Sequence, residues 1–182
     1  MEKLPFTEIG LNKLKKEMSD LKSIERPAVI KAIAEARSHG DLSENAEYHA
    51  ARERQGFIEG RLLELENVIS RAEIIDLNKI NADKITFGTS VSIVDEETDQ
   101  EKTLHIVGEY ESNLETGKIS LSSPIAKGLI GKVVGDSADI TTPSGKKYYE
   151  ILEIKVIDTA ILWRLFIKYI KKRFWIQKII TV

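Results

Sequence analysis

The stretch RSHGDLSENAEYHAA, residues 37–51, decides the fold, because it separates two long runs of helical pattern and supplies the bend between them. Upstream, Leu11, Leu14, Met18, Leu21, Glu25, Ala28, Ala32 and Glu35 follow one another in alternating steps of three and four. Downstream, Tyr48, Ala51, Gln55, Ile58, Leu62, Leu65, Ile69 and Ala72 do the same. Such steps return each residue to one stripe of a helix, the seam of a coiled coil. If the two helices fold back antiparallel, the layers pair Leu11 with Ala72, Leu14 with Ile69, Met18 with Leu65, Leu21 with Leu62 and Glu25 with Ile58. Every pair of numbers sums to 83, which puts the fold-back point between Asp41 and Leu42.

The ends of the first helix carry matching signals. Thr7 suits an N-cap followed by the acid Glu8, while Arg37 and His39 before Gly40 suit a C-terminal cap, so that helix is expected to end at Gly40. A helix of about 30 residues makes an arm about 45 Å long at ~1.5 Å per residue. Its seam is aliphatic at the base and small or polar toward the bend. Pro27 removes one interior hydrogen bond at a cost of ~3 kcal/mol and predicts a kink near Ser23 to Arg26.

After Ile75 the period changes to two. Val91 and Ile93, Leu104 and Ile106, Ile119 and Leu121, Ala138 and Ile140, and the run KKYYEILEIKVI read as strands, with turn signals at residues 96–100, 115–117 and 143–145. Ser123 followed by Pro124 marks a short helix through Ile130. The fold class is therefore α+β. An antiparallel two-helix coiled-coil arm occupies residues 1–75, a polar linker 76–86, a compact antiparallel sheet domain with a short helix 87–157, and an atypical basic, hydrophobic tail 158–182.

The chain has a formal net charge of −2, with 27 Lys and Arg against 29 Asp and Glu. That balance lacks the basic excess of a general nucleic-acid binder. With no cysteine, a disulfide framework, an Fe–S cluster and a thiol nucleophile are all excluded. MEKLPFTEIG has no apolar h-region, so cytosol is the expected compartment. The tail holds six of the basic residues and one Asp. It reads either as a cationic amphipathic helix at a membrane surface or as read-through sequence without a selected function.

Asp41 and Glu44 admit two readings. In the first they form a capping box, the Asp capping the start of the second helix and the Glu reaching back to its first amide. In the second, two carboxylates three residues apart are hard-cation ligands for Mg²⁺, too few for its six oxygens, so another macromolecule must complete the site. Tyr48 lies on the seam near the bend. Lys31, Arg37 and Arg52 form a basic strip or a solvated face interleaved with Glu35, Glu47 and Glu53. The three histidines lack metal-ligand spacing, no phosphate loop is present, and no Ser, His and Asp stand in a catalytic pattern.

Over RPAVIKAIAEARSHGDLSENAEYHAARERQGF and again over SLSSPIAKGLIGK, the chain resembles the GreA family of bacterial transcript cleavage factors, from about Met1 to Ile157. The resemblance implies a coiled-coil arm inserted through the secondary channel of bacterial RNA polymerase, and an FKBP-like C-terminal domain docked at the channel rim. It implies that Asp41 and Glu44 act in trans, helping the polymerase hold a shared Mg²⁺ so that backtracked nascent RNA is cut in the polymerase's own site. It assigns Arg37 and Arg52 to the extruded RNA. Ser43, Asn45 and Tyr48 are expected to support the tip. The chain is then an accessory factor without a small-molecule substrate or a stably bound cofactor of its own. The alternative is a non-catalytic coiled-coil competitor or adaptor that occupies the channel. A prolyl isomerase is disfavoured because the sheet domain has few aromatics.

Overall fold

The computed structural model describes residues 2–38, 44–142 and 145–158. They divide into two units, one spanning Leu11–Ala72 and the other combining Leu4–Gly10 with the residues from Glu73 onward. The expected end of the first helix at Gly40, and the bend between Asp41 and Leu42, lie outside the described residues. The expected turn at Pro143 to Gly145 does so in part, and the tail beyond Asp158 does so entirely.

Helix α1 covers Glu8–Asp20, α2 covers Arg26–Ser38 and α3 covers Ala46–Ser70. Thr7 caps α1 as its sequence predicts, its Oγ1 accepting the Gly10 N–H at 3.0 Å. At the base the seam is the expected one: Leu11, Leu14 and Leu21 are buried, as are Ile58, Leu62 and Leu65 on α3. Toward the tip it is not. Val29, Ile33 and Ala36 are buried, and the expected Ala28 and Ala32 are exposed.

The cause lies at Leu21–Glu25, which form a π-helical segment between α1 and α2. The Arg26 N–H reaches the Leu21 carbonyl, five residues back instead of four. This turn holds one extra residue, and every seam position beyond it moves on by one. Pro27 has no N–H to complete a regular turn here. Magnitudes favour the shift, since a net backbone hydrogen bond is worth ~1 kcal/mol. Burying a Val or Ile contributes ~1.5–3 kcal/mol, and the shifted register buries one of each in place of two alanines. Ile33→Ala is accordingly expected to destabilise the arm by about 2 kcal/mol. Ala32→Asp should stay within ~0.5 kcal/mol. Urea unfolding followed by far-UV circular dichroism measures both, and equal losses would contradict the shifted register.

Ion pairs cross the arm from Arg61 to Glu17 at 2.8 Å, Lys22 to Glu66 at 2.6 Å and Arg26 to Glu59 at 2.7 Å. Partly exposed pairs of this kind contribute ~0–1 kcal/mol each, so they select the pairing more than they stabilise it.

A two-stranded sheet joins β1 (Leu4–Phe6) to β2 (Ala72–Ile74). The larger sheet contains β3 (Thr89–Asp95), β4 (Gln100–Val107), β5 (Lys118–Ser120), β6 (Ser137–Thr142) and β7 (Gly145–Val156), in the order β5-β4-β3-β7-β6. Its pairings are antiparallel except that of β4 with β5, which is parallel. The chain leaves β4 through two single 3-10 turns, Glu109–Glu111 and Leu114–Thr116, and re-enters alongside it. An alternating sequence specifies a strand without specifying its direction.

Helix α4 (Pro124–Leu129) is capped by the Ser123 hydroxyl, which accepts the Ala126 N–H at 3.1 Å. Ala126 and Leu129 pack with Val91, Ile93, Ile106, Ile119, Ile140 and Ile151 into one core. The stretch 76–86, expected as a polar linker, contributes two core residues, Leu77 and Ile85. Ile85 is tied in by its N–H to the Lys132 carbonyl at 2.9 Å.

His105 on β4 faces Lys118 on β5 and has a buried Nδ1 without a hydrogen-bond partner. Burial first, and the Lys118 charge second, push its imidazole below the ordinary value of 6.5. A depressed histidine means that the folded state binds fewer protons than the unfolded chain, so its contribution to stability is complete above about pH 6.5 and is lost as the pH falls below it. His105→Gln is therefore expected to flatten the stability profile of the sheet domain between pH 7.5 and 5.5. Parallel urea-unfolding profiles for parent and variant would refute this.

Candidate functional site at the arm tip

The tip is built from the last turn of α2 and the first turn of α3. Asn45 joins them, its Nδ2 donating to the Ala36 carbonyl on α2 at 2.8 Å. Its Oδ1 accepts the Tyr48 N–H of α3 at 3.0 Å. The backbone of Asn45 is extended, φ −82° and ψ 94°, as an N-cap requires. One side chain thus caps α3 and satisfies a carbonyl that the end of α2 leaves open.

This overturns the capping-box reading of Asp41 and Glu44. The cap belongs to Asn45, and Glu44 stands one residue ahead of it. Asn and Asp are near-equal as N-caps, so sequence preference alone did not separate positions 41 and 45. The distinguishing signal is the start of the second seam at Tyr48, three residues after Asn45. Glu44 is exposed and makes no hydrogen bond or ion pair with a described residue. It stands two residues before the start of a 25-residue helix, where the backbone dipole favours negative charge.

Tyr48 is half-buried and carries the Arg37 guanidinium over its ring, 5.7 Å from the centroid. The His49 ring meets the Tyr48 ring edge-on at 5.7 Å. Arg37, Asn45 and Tyr48 are therefore brought together. Arg52 is not one of that group, because it lies along α3 with its Nη1 donating to Gln55 Oε1 at 2.6 Å. Asp41 and Ser43 lie outside the described residues.

Among the described residues no three His, Cys, Asp or Glu side chains converge as a metal site. What the tip offers is a hard oxygen donor at Glu44, with the Asn45 amide already committed to the fold. Such a donor fits Mg²⁺, which prefers carboxylate oxygen and keeps positions for other ligands. Also among the described residues, no helix is long and apolar enough to cross a membrane.

Two family models match the chain. One, described as transcription elongation factor, N-terminal, covers residues 4–74, and the other, transcription elongation factor GreA/GreB, C-terminal, covers residues 80–156. Transcription elongation factor GreA of Rhodospirillum rubrum is 57% identical over 155 residues, which span 85% of this chain and 99% of that protein. The factor of the same name from Ruegeria pomeroyi is 59% identical over 155 residues, with the same coverage. Among solved structures, GreA factor homolog 1 of Thermus thermophilus is similar at 27% identity and a TM-score of 0.40, over 85% of this chain and 99% of that one.

Proposed function

Because the chain belongs to the GreA/GreB family of transcription elongation factors, we propose that its tip is the part that reaches into RNA polymerase, and that Asp41 and Glu44 carry its action. The protein stimulates transcript cleavage by RNA polymerase and is not itself an enzyme. In our reading the arm enters the polymerase's secondary channel, residues 87–157 dock at its rim, and the substrate is backtracked nascent RNA.

The observation that carries this reading is the division of labour at the tip. Asn45 holds the fold, and among the described residues Glu44 has no hydrogen-bond or ion-pair partner. Asp41 and Glu44 would hold a Mg²⁺ jointly with the polymerase, and that ion when bound lowers the pKa of a coordinated water and offsets phosphate charge. The residues of this chain orient and hold. The two carboxylates accept hydrogen bonds from the attacking water, and Arg37 and Arg52 attract phosphates of the extruded strand. Tyr48 fixes the Arg37 guanidinium against its ring, and Ser43 with Asn45 keeps the turn in shape. Hydrolysis breaks one phosphodiester P–O bond and gives its oxygen a proton, freeing a new RNA end in the polymerase's own site. No cofactor need stay on the free factor, and the compartment is the cytoplasm.

Purified bacterial RNA polymerase halted with backtracked, end-labelled RNA tests the reading. Adding the chain, full length and shortened to end at Ile157, should shorten the RNA in a Mg²⁺-dependent way. Binding to polymerase without cleavage by either form would instead favour a channel-blocking competitor.

A further inference from the structure

Three flat side chains meet at the tip, of which the cleavage chemistry uses Arg37 and leaves His49 without a task. The Arg37 guanidinium lies 5.7 Å from the centroid of the Tyr48 ring. The His49 ring meets the Tyr48 ring edge-on, with centroids 5.7 Å apart and planes 69° from one another. All three belong to the arm unit, Arg37 in the last turn of α2 and the two rings in the first turn of α3. Packing accounts for Tyr48, which is half-buried, and does not account for His49. His49 comes ~100° further round the helix and is exposed. The first buried residue of α3 after it is Ile58, more than two turns away. Helix preference does not call for a histidine either, since Ala46, Ala50 and Ala51 stand around it and alanine is the better helix former.

What His49 adds is a second ring beside Tyr48, oriented by the edge-on contact between them. An unpaired base in single-stranded RNA has two uncovered faces, and it stacks on the planes of His, Tyr or Arg side chains. Such stacking tolerates any sequence, because every base has a π face. Charge separates this ligand from a phosphate. Glu44, Glu47 and Glu53 are exposed in the same stretch and repel an anion, while a neutral base meets no such repulsion. A phosphate also selects charged, forked donors, which Arg37 has and the two rings lack. The Tyr48 ring braces the Arg37 guanidinium, so a base on the rings and its neighbouring phosphate on Arg37 meet one preorganised cluster.

We propose that Tyr48 and His49 form a binding site for one unpaired nucleobase of RNA, the His49 imidazole stacking on the base while Arg37 takes the adjoining phosphate. The proposal rests on the cleavage function above, which brings an unpaired RNA end to the tip, and its test tells the two apart. Polymerase halted with backtracked RNA is compared with complexes in which each backtracked nucleotide in turn is abasic. On normal RNA, His49→Ala should lower the cleavage rate at saturating factor about tenfold. With the served nucleotide abasic, the parent should fall by a similar factor, and His49→Ala should then cost less than about twofold more. His49→Phe, which keeps a ring and loses both nitrogens, should recover most of the rate on normal RNA. Alanine at this exposed helical position leaves folding intact, which far-UV circular dichroism checks. The proposal is overturned by an undiminished rate for His49→Ala, by a loss that persists on every abasic RNA, or by a His49→Phe no better than His49→Ala. A parent chain that stimulates no cleavage of normal RNA refutes the cleavage function, and a titration without polymerase then decides the site. Millimolar tetra-adenylate should move the His49 ring-proton NMR signals upfield, and an abasic tetramer should not. Those signals are picked out among the three histidines by their loss in His49→Phe. Equal shifts with both ligands, or none with either, overturn the site.

Discussion

Glu44→Gln and Asp41→Asn are each expected to reduce stimulated transcript cleavage by about a hundredfold while binding to polymerase stays within twofold or so of the parent. Both changes are nearly isosteric and remove one negative charge. The fold should tolerate them, since the cap of α3 is Asn45 and not either acid. The deficit should narrow as Mg²⁺ is raised, because a weakened shared site is refilled by mass action. Cleavage assays across a Mg²⁺ titration, with binding measured separately by competition, are the measurement. Full stimulation by either variant at ordinary Mg²⁺ would remove the metal-sharing role. A channel-blocking adaptor predicts that both variants behave as the parent does at every Mg²⁺ concentration.

The largest expected effect on stability is at Leu65, which is fully buried in the basal half of the arm. Leu65→Ala should cost about 3 kcal/mol, the transfer loss plus the cavity left between the two helices. Leu63, two residues earlier, is 71% exposed on the outer face, and Leu63→Ala should stay within ~0.5 kcal/mol. Since α1 to α3 hold most of the helix, far-UV circular dichroism during urea unfolding isolates the arm. Similar midpoints for the two variants would mean that the seam does not carry the arm's stability.

The arm was legible because its signal is periodic and local. Two seams in three-four steps, a cap at Thr7 and a proline at position 27 need no knowledge of partners far along the chain. The strands were legible for the same reason, through alternation at residues 91–93, 104–106 and 138–140. The register beyond Leu21 was not. A strict heptad count assumes four-residue hydrogen bonding throughout, and the π turn before Pro27 breaks that assumption by one residue. Val29 and Ile33 carried the missing signal, being larger than the alanines the count preferred. At the tip, Asp41 and Asn45 were equivalent as caps on propensity, and the start of the second seam at Tyr48, whose N–H Asn45 accepts, is what distinguishes them. The parallel pairing of β4 with β5 depends on which distant segments meet, which pattern reading does not encode. The roles of Asp41 and Glu44 came from family resemblance, not from spacing.

The π turn also governs which way the tip looks. In a regular helix each residue turns the chain by ~100°, so one surplus residue between Leu21 and Val29 would have swung everything beyond it a quarter-turn or more about the arm's long axis. The wide turn takes up that rotation, and Val29, Ile33 and Ala36 face α3 as Leu21 does. Reach and azimuth are therefore set in different places, reach by the number of residues in the arm and azimuth by five residues about halfway along it. A factor that lost or gained one residue there would extend almost as far and present its acids to a different wall.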